Sequence, residues 1–242
     1  MKKVLFGLFA LSCVSMASET NFYFRTGADF GGKFEVIKDE EGDFTKKDAD
    51  DFAWEVAVEA TKEIYPNFEL GLGVAYQDHG KPKKLVEVEN SNTIDYDVDE
   101  YEMCGYTSIP LYLTAKYNFK AINNFIPYIK ANIGYSFNDS DDDFKTHTVK
   151  YNSATNLPVK DPYIENPIDT KDKVKIKNGL YCGIGGGFEY NNFTMDLMYQ
   201  LNKAKAEINF FDEEDNTNYK VKDDFDYSRF TLSVGYKFNF GF

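Results

Sequence analysis

The sequence has little of what an enzyme or a helical membrane protein needs. Its 242 residues hold one Trp, two His, three Cys and seven Pro. His79 and His147 fall in different loop-like stretches, His79 just beyond Asp78 and His147 between Thr146 and Thr148. A His-Ser or His-Asp catalytic pair would require those stretches to converge, and nothing in the spacing supports it. No Cys-His spacing suits zinc, so neither a metal nor a cofactor is expected. Positive charge is short as well: 27 Lys and Arg stand against 40 Asp and Glu, a net charge of −13 that argues against a nucleic-acid partner. Long apolar runs are missing, and the one candidate, Val4 to Met16, is too short to cross a bilayer as a helix.

That apolar run follows Lys2 and Lys3 and ends at Ser15-Met16-Ala17 before Ser18. A basic start, an apolar core and a small-residue site describe a secretory signal peptide cut after Ala17. Residues 1–17 are therefore read as signal peptide and 18–242 as the mature domain. Cys13 follows Ala10-Leu11-Ser12, which lacks the Leu three positions before Cys that lipoprotein processing uses, so lipidation is not expected. The mature chain keeps Cys104 and Cys182. The strand reading below separates them and turns Cys182 outward, so no disulfide is expected between them.

What the chain has in abundance is aromatic residues, 22 Phe and 18 Tyr, and these recur with period two. In the last stretch, Tyr227 to Phe242, one parity reads Phe230, Leu232, Val234, Tyr236, Phe238, Phe240 and Phe242, while Arg229, Thr231, Ser233, Gly235, Lys237 and Asn239 fill the other. Strict alternation means a strand with one apolar and one polar face. As a soluble edge strand it would be an aggregation hazard; paired on both sides in a closed barrel with its apolar face in lipid, it is not. A soluble β-sandwich is the plain alternative.

The same alternation opens at Phe22 and restarts at Phe52, at Phe68 after Tyr65-Pro66-Asn67, at Tyr106, at Pro127, at Leu180, and at Phe193 after Asn191-Asn192. About eight strands result, joined by alternately long and short connections, as an even-stranded transmembrane barrel requires. The long ones, Lys38 to Asp51, Asp78 to Gly105, Asn138 to Lys177 and the stretch around Asp212-Glu213-Glu214-Asp215, read as charged, mostly acidic loops. A lipocalin-type barrel also alternates, but its inside would be apolar. Here the charged parity also holds Gly71, Gly73, Gly134, Gly183, Gly185, Gly187 and Gly235, small residues suited to a crowded interior, so the apolar parity faces out. The expected fold is all-β: a transmembrane antiparallel up-and-down β-barrel of about eight strands behind an N-terminal signal peptide.

The inward set is then Arg25, Lys33, Lys116, Lys130, Arg229 and Lys237 against Asp29, Glu35, Glu55, Glu59, Glu69, Glu189 and Asp196. Buried charges must be paired and hydrogen-bonded, so a salt-bridged plug is expected, with a narrow ion path as its rival. Closure of first strand against last should bring Arg229 and Lys237 to Asp29 and Glu35. Two other motifs carry less. Gly183-Ile184-Gly185-Gly186-Gly187 continues into strand rather than helix, unlike a nucleotide loop. The stretch opening at Asp139 starts like a calcium loop but places Phe144 where Gly belongs and Lys150 where Glu belongs.

The stretch Ser108 to Phe119, SIPLYLTAKYNF, followed by Pro127 to Tyr135, PYIKANIGY, resembles the outer-membrane β-barrel domain family that includes the small OmpA- and OmpX-like barrels. The aromatic end, Phe238, Phe240 and Phe242, resembles the signal read by the barrel-assembly machinery in such proteins. The chain stops at Phe242, so the peptidoglycan-binding domain of full-length OmpA-type proteins is not expected. The resemblance implies a protein of the outer membrane of a Gram-negative-type bacterium, in contact with outer-membrane lipids and the assembly machinery. The role expected is structural and surface-directed rather than enzymatic, its loops meeting molecules of a host or neighbouring cell. An OmpW-like narrow channel is the alternative, and an outer-membrane enzyme the third reading.

Overall fold

A chain that crosses lipid as strands must satisfy every main-chain hydrogen bond within itself, and closure is how strands do so. The computed structural model describes residues 20–38, 43, 45–89, 95–140, 143–160, 166–212 and 217–240. The expected signal peptide, 1–17, lies outside the described residues. Fifteen strands are described: β1 (Thr20–Phe34), β2 (Trp54–Tyr65), β3 (Phe68–Asp78), β4 (Leu85–Glu89), β5 (Asp95–Glu102), β6 (Thr107–Asn118), β7 (Phe125–Asp139), β8 (Asp143–Asn152), β9 (Leu157–Pro158), β10 (Ile168–Lys177), β11 (Gly179–Tyr190), β12 (Phe193–Asn202), β13 (Lys205–Asp212), β14 (Thr217–Asp224) and β15 (Tyr227–Phe240). Eight of them close into an antiparallel barrel in the order β1, β15, β12, β11, β7, β6, β3, β2, with β2 pairing back onto β1.

The apolar parity faces out, as the alternation requires. Ile133, Ile184 and Val234 are 58%, 66% and 54% exposed, while Arg25, Glu59, Lys116 and Thr231 on the other parity are buried. Asparagines build the tight turns at one end: Asn67 between β2 and β3, Asn123 between β6 and β7, and Asn191-Asn192 between β11 and β12 all have positive φ. Asn tolerates that left-handed region better than other non-glycine residues, and two successive positive φ values suit a tight hairpin. In outer-membrane barrels this short-turn end faces the periplasm.

Three of the four long connections at the other end depart from expectation; the first, Lys38 to Asp51, makes only isolated bridges among its described residues. The three are not solvated loops: β14, β13, β10, β8, β5 and β4 pair in that order into a second sheet, with β9 on β8. Its inner face supplies Phe144, Ile176, Ala206 and Ile208 to a buried core completed by Phe34, Ile37, Ala53, Met103, Cys104, Tyr106, Phe225 and Tyr227 from the rim of the barrel. The extracellular sheet is thus folded onto the barrel mouth, and its apolar burial is what orders it. Neither Cys104, inside this core, nor Cys182, exposed on β11, takes part in a disulfide.

A second correction concerns β1. Its register with β15 shifts between Phe30 and Lys33, so one extra residue sits on β1. Gly31 takes a φ of +60° there, the conformation glycine supplies at such bulges. One extra residue flips every side chain beyond it. Phe34, expected on the lipid side, is buried in the mouth, and Lys33 and Glu35, expected in the lumen, are exposed.

Candidate functional site

The lumen is built from inward residues of all eight barrel strands, and eleven of the thirteen expected charges meet there. Nearest the extracellular mouth, Arg229 on β15 pairs with Asp29 of β1 at 2.7 Å and with Glu55 of β2 at 3.5 Å. The same guanidinium donates to Asn202 and Gln200 of β12, each at 2.7 Å. Thr231 donates to Asp29 at 2.7 Å, and Gln77 of β3 donates to Glu55 at 3.0 Å and is itself reached by Asn202 at 2.9 Å. Arginine suits this position because its fork serves several acceptors at once and keeps its charge when buried.

Midway down, Arg25 of β1 is paired with Glu59 of β2 and lies 2.8 Å from Asp196 of β12. Lys130 of β7 adds a second cation to Glu59 at 3.0 Å. Tyrosines satisfy the remaining lone pairs: Tyr112 donates to Glu59 at 3.0 Å and Tyr128 to Asp196 at 2.6 Å. Toward the periplasm, Lys116 of β6 sits between Glu69 at 3.5 Å and Glu189 at 3.4 Å, and Lys237 of β15 pairs with Glu189 at 3.1 Å. Tyr23 accepts from Lys116 at 2.9 Å and donates to Glu69 at 3.0 Å. Glu69 is completed by Thr61 and Asn118.

Two expected pairings are corrected. Lys237 meets Glu189 of β11, because its register partner on β1 is Tyr23. Glu35 lies beyond the bulge, outside the lumen, as does Lys33. The expected lumen set held charges only and left out the neutral partners Gln77, Gln200, Asn202, Tyr23, Tyr112 and Tyr128. They stand on the inward parity of strands already recognised, and that parity was the signal that could have found them.

Above the upper layer lies a roof. His79, just past the end of β3, is fully buried, and its Nε2 lies 2.7 Å from the Ser108 hydroxyl, which donates to Asn138 at 2.8 Å. The imidazole ring packs 4.6 Å from both Tyr106 and Tyr227. Phe34 stacks beside them, 4.7 Å from Tyr227 and 5.0 Å from Phe225. Burial, together with the Arg229 charge, holds the His79 pKa well below its ordinary value. His147 stands apart on β8, exposed, 2.7 Å from Asp169. Of the expected closing signal, Phe238 is on the outer face of β15 against Tyr236 at 4.8 Å; the Phe240 side chain and Phe242 lie outside the described residues.

Solved outer-membrane barrels are similar in shape to this chain. OprG of Pseudomonas aeruginosa matches at 16% identity and a TM-score of 0.49, covering 92% of this chain and 96% of that one. AlkL, solved in lipid bilayers, matches at 11% and 0.41 over 92% and 91%. Ail of Yersinia pestis, solved with the heparin analogue sucrose octasulfate, matches at 12% and 0.39 over 92% and 100%. A protein of Pasteurella multocida (strain Pm70), named Uncharacterized protein PM1543, is 28% identical over 98% of both chains. The model of the outer membrane protein beta-barrel domain matches residues 5–238. With a closed eight-stranded barrel, an apolar exterior and that match over nearly its whole length, the chain belongs to the outer membrane protein beta-barrel domain family.

Proposed function

We propose that this outer-membrane barrel is a closed, non-enzymatic support that displays a folded β-sheet at the cell surface, and that its role is structural or adhesive rather than conductive. The observation that carries this reading is the continuity of the lumen network with its roof. Three tiers of paired charges fill an eight-stranded interior only wide enough for side chains. An aromatic cluster shared with the extracellular sheet covers the uppermost tier.

The enzymatic alternative is disfavoured by the setting of His79. Its contact with Ser108 is buried among Tyr106 and Tyr227, where no substrate reaches. Engagement of the barrel-assembly machinery through Phe238, Phe240 and Phe242, and contact with host or neighbouring-cell molecules through the sheet, belong to the same proposal. Planar-bilayer recording tests it: purified, heat-modifiable protein should give no unitary conductance steps. Reproducible steps from folded protein would overturn the closed-lumen reading in favour of an OmpW-like channel.

A further inference from the structure

The extracellular sheet reverses the polarity of its two faces between the barrel mouth and its far end. Residues directly opposite across paired strands share a face, so the register assigns each side. Near the mouth the inner face is apolar, with Phe144 and Ile176 in the buried core and Tyr101 packed against it. The outer face at that level is charged: Lys84 pairs with Glu100 at 2.5 Å and Glu102 at 3.1 Å, and His147 lies 2.7 Å from Asp169. Further along β4, β5 and β8 the order inverts. The inner face there carries Glu87, Asp97, Asp99, Thr148 and Lys150, with Thr148 donating to Asp99 at 2.5 Å and Lys150 lying 4.0 Å from Asp97. The outer face carries Val86, Val88, Tyr96, Val98, Val149 and Tyr151.

These apolar residues form one continuous surface. Val88, Val98 and Val149 stand opposite one another across three strands, a row about 10 Å wide. At the next outward level Tyr96 stacks on Tyr151 with ring centroids 5.4 Å apart, and Val86 and Val88 are 51% and 60% exposed. Strand propensity alone does not account for the choice, because threonine serves a wetted strand as well and the inner face of the same strands is polar. The charged level of Lys84, Glu100, Glu102 and His147 separates the patch from the lipid-facing wall of β3, β6 and β7. In a single barrel it is therefore covered by water, and a contiguous apolar surface in water marks an interface.

We propose that this patch is a self-association surface, on which a second copy of the chain packs about a two-fold axis along the membrane normal. Copies in one membrane share an up-and-down orientation, so patches that face sideways from the barrel axis meet by that rotation, each against its own counterpart. Charge selects the place. A chain of net charge −13 repels its copies wherever acids stand free, whereas the patch carries no charge and Lys84 answers the two glutamates on its border. Beneath it, Leu113 and Ile133 on β6 and β7 are 52% and 58% exposed, so the same rotation brings apolar wall to apolar wall in the lipid. Six side chains alone fall short of the about 800 Å² per partner that a stable soluble complex buries; the barrel walls complete the contact, and the dimer forms in a bilayer. The inference requires the barrel in a membrane but not a closed lumen, so conductance and pairing can fail separately.

The test uses the full barrel, diluted in phosphatidylcholine vesicles and labelled with donor or acceptor dye at Cys182, the exposed native thiol. Wild type should show energy transfer above that of random mixing, and the Val88→Lys/Val98→Lys variant should associate at least about tenfold more weakly. Heat-modifiability on gels reports whether the variant is folded. A near-isosteric change keeps the proposal testable if the lysine variant misfolds: Val98→Cys in a Cys182→Ser background should yield a cross-linked dimer with a short bismaleimide. That reagent is chosen because packed sheets stand about 10 Å apart, too far for a direct disulfide. Asn209→Cys, on the outer face of β13, should stay monomeric under the same treatment. Equal cross-linking at the two positions, or no energy transfer from folded wild type, would overturn the pairing. Transfer undiminished in the lysine variant would overturn it too, by assigning the contact to the barrel wall alone.

Discussion

Arg229 is fully buried and answers two carboxylates and two amides from three other strands, β1, β2 and β12. Replacing a buried ion pair whole is often tolerated, but removing one partner strands the other. Arg229→Met should therefore cost about 3–5 kcal/mol, because Asp29 and Glu55 lose their cation together. Urea unfolding of the refolded barrel in lipid vesicles measures this. A cost below about 1 kcal/mol would mean that the upper tier is hydrated in the membrane. Lys237, whose side chain is 15% exposed, should tolerate replacement better, since water reaches Glu189 in its place.

His79 makes a pH prediction whose sign follows from its pKa. Burial and Arg229 of β15 depress it; the other groups against the ring are Tyr106, Tyr227 and Ser108. A neutral, buried imidazole in the fold and an ordinary one in the unfolded chain mean that the unfolded state takes up the proton first. The contribution is present in full above about pH 6.5 and is lost as pH falls below it toward the folded value. The wild type should lose stability between pH 7 and 5 by more than His79→Asn does, read as unfolding midpoints at each pH. Parallel midpoints in the two proteins would rule out His79 as the source.

At the level of the strand, β1 shows how one residue decides a face. Gly31 carries the bulge at a φ of +60°, so Gly31→Val should destabilise by about 1–2 kcal/mol. Deletion of Gly31 should do more, because it turns Phe34 out of the roof and returns Lys33 and Glu35 to the lumen side. Susceptibility of the extracellular sheet to protease separates the two. Equal resistance in wild type and deletion would show that the roof does not depend on Phe34. The barrel strands were legible in the sequence because lipid on one side and a polar lumen on the other impose strict alternation. The bulge was signalled only by Gly31-Gly32, which a simple count of parity passes over. The extracellular strands were hidden differently. Asp172, Val174 and Ile176 alternate with four lysines on β10, and Ala206, Ile208 and Phe210 alternate on β13, yet the surrounding charge and prolines made both read as loop. Their partners come from separate connections, and pairing between distant segments leaves little trace in any one of them. The pairing within the lumen was legible only as a set of charges, since which cation meets which acid depends on register and stagger around the barrel.

For the whole molecule, the proposed closed lumen makes the roof and the network two barriers in series, and they can be separated. Replacing 139–178 by a short turn removes β8, β9 and β10 and with them Phe144 and Ile176 from the core over the mouth. Eight barrel strands keep their neighbours, so the shortened protein should still insert and remain heat-modifiable. It should also remain electrically silent, because Arg25 with Glu59 and Asp196, and Lys116 with Glu69 and Glu189, still occupy the lumen below. Ion passage through such a tier requires several desolvated pairs to open together, which the low-dielectric interior opposes. Adding Arg25→Ala to the shortened barrel leaves Glu59 and Asp196 undercompensated and the middle tier without its bulkiest side chain. If conductance appears only in that combined variant, the network is the seal and the roof its cover. If the loop replacement alone opens the barrel, the seal is the roof, and the extracellular sheet acts as its lid.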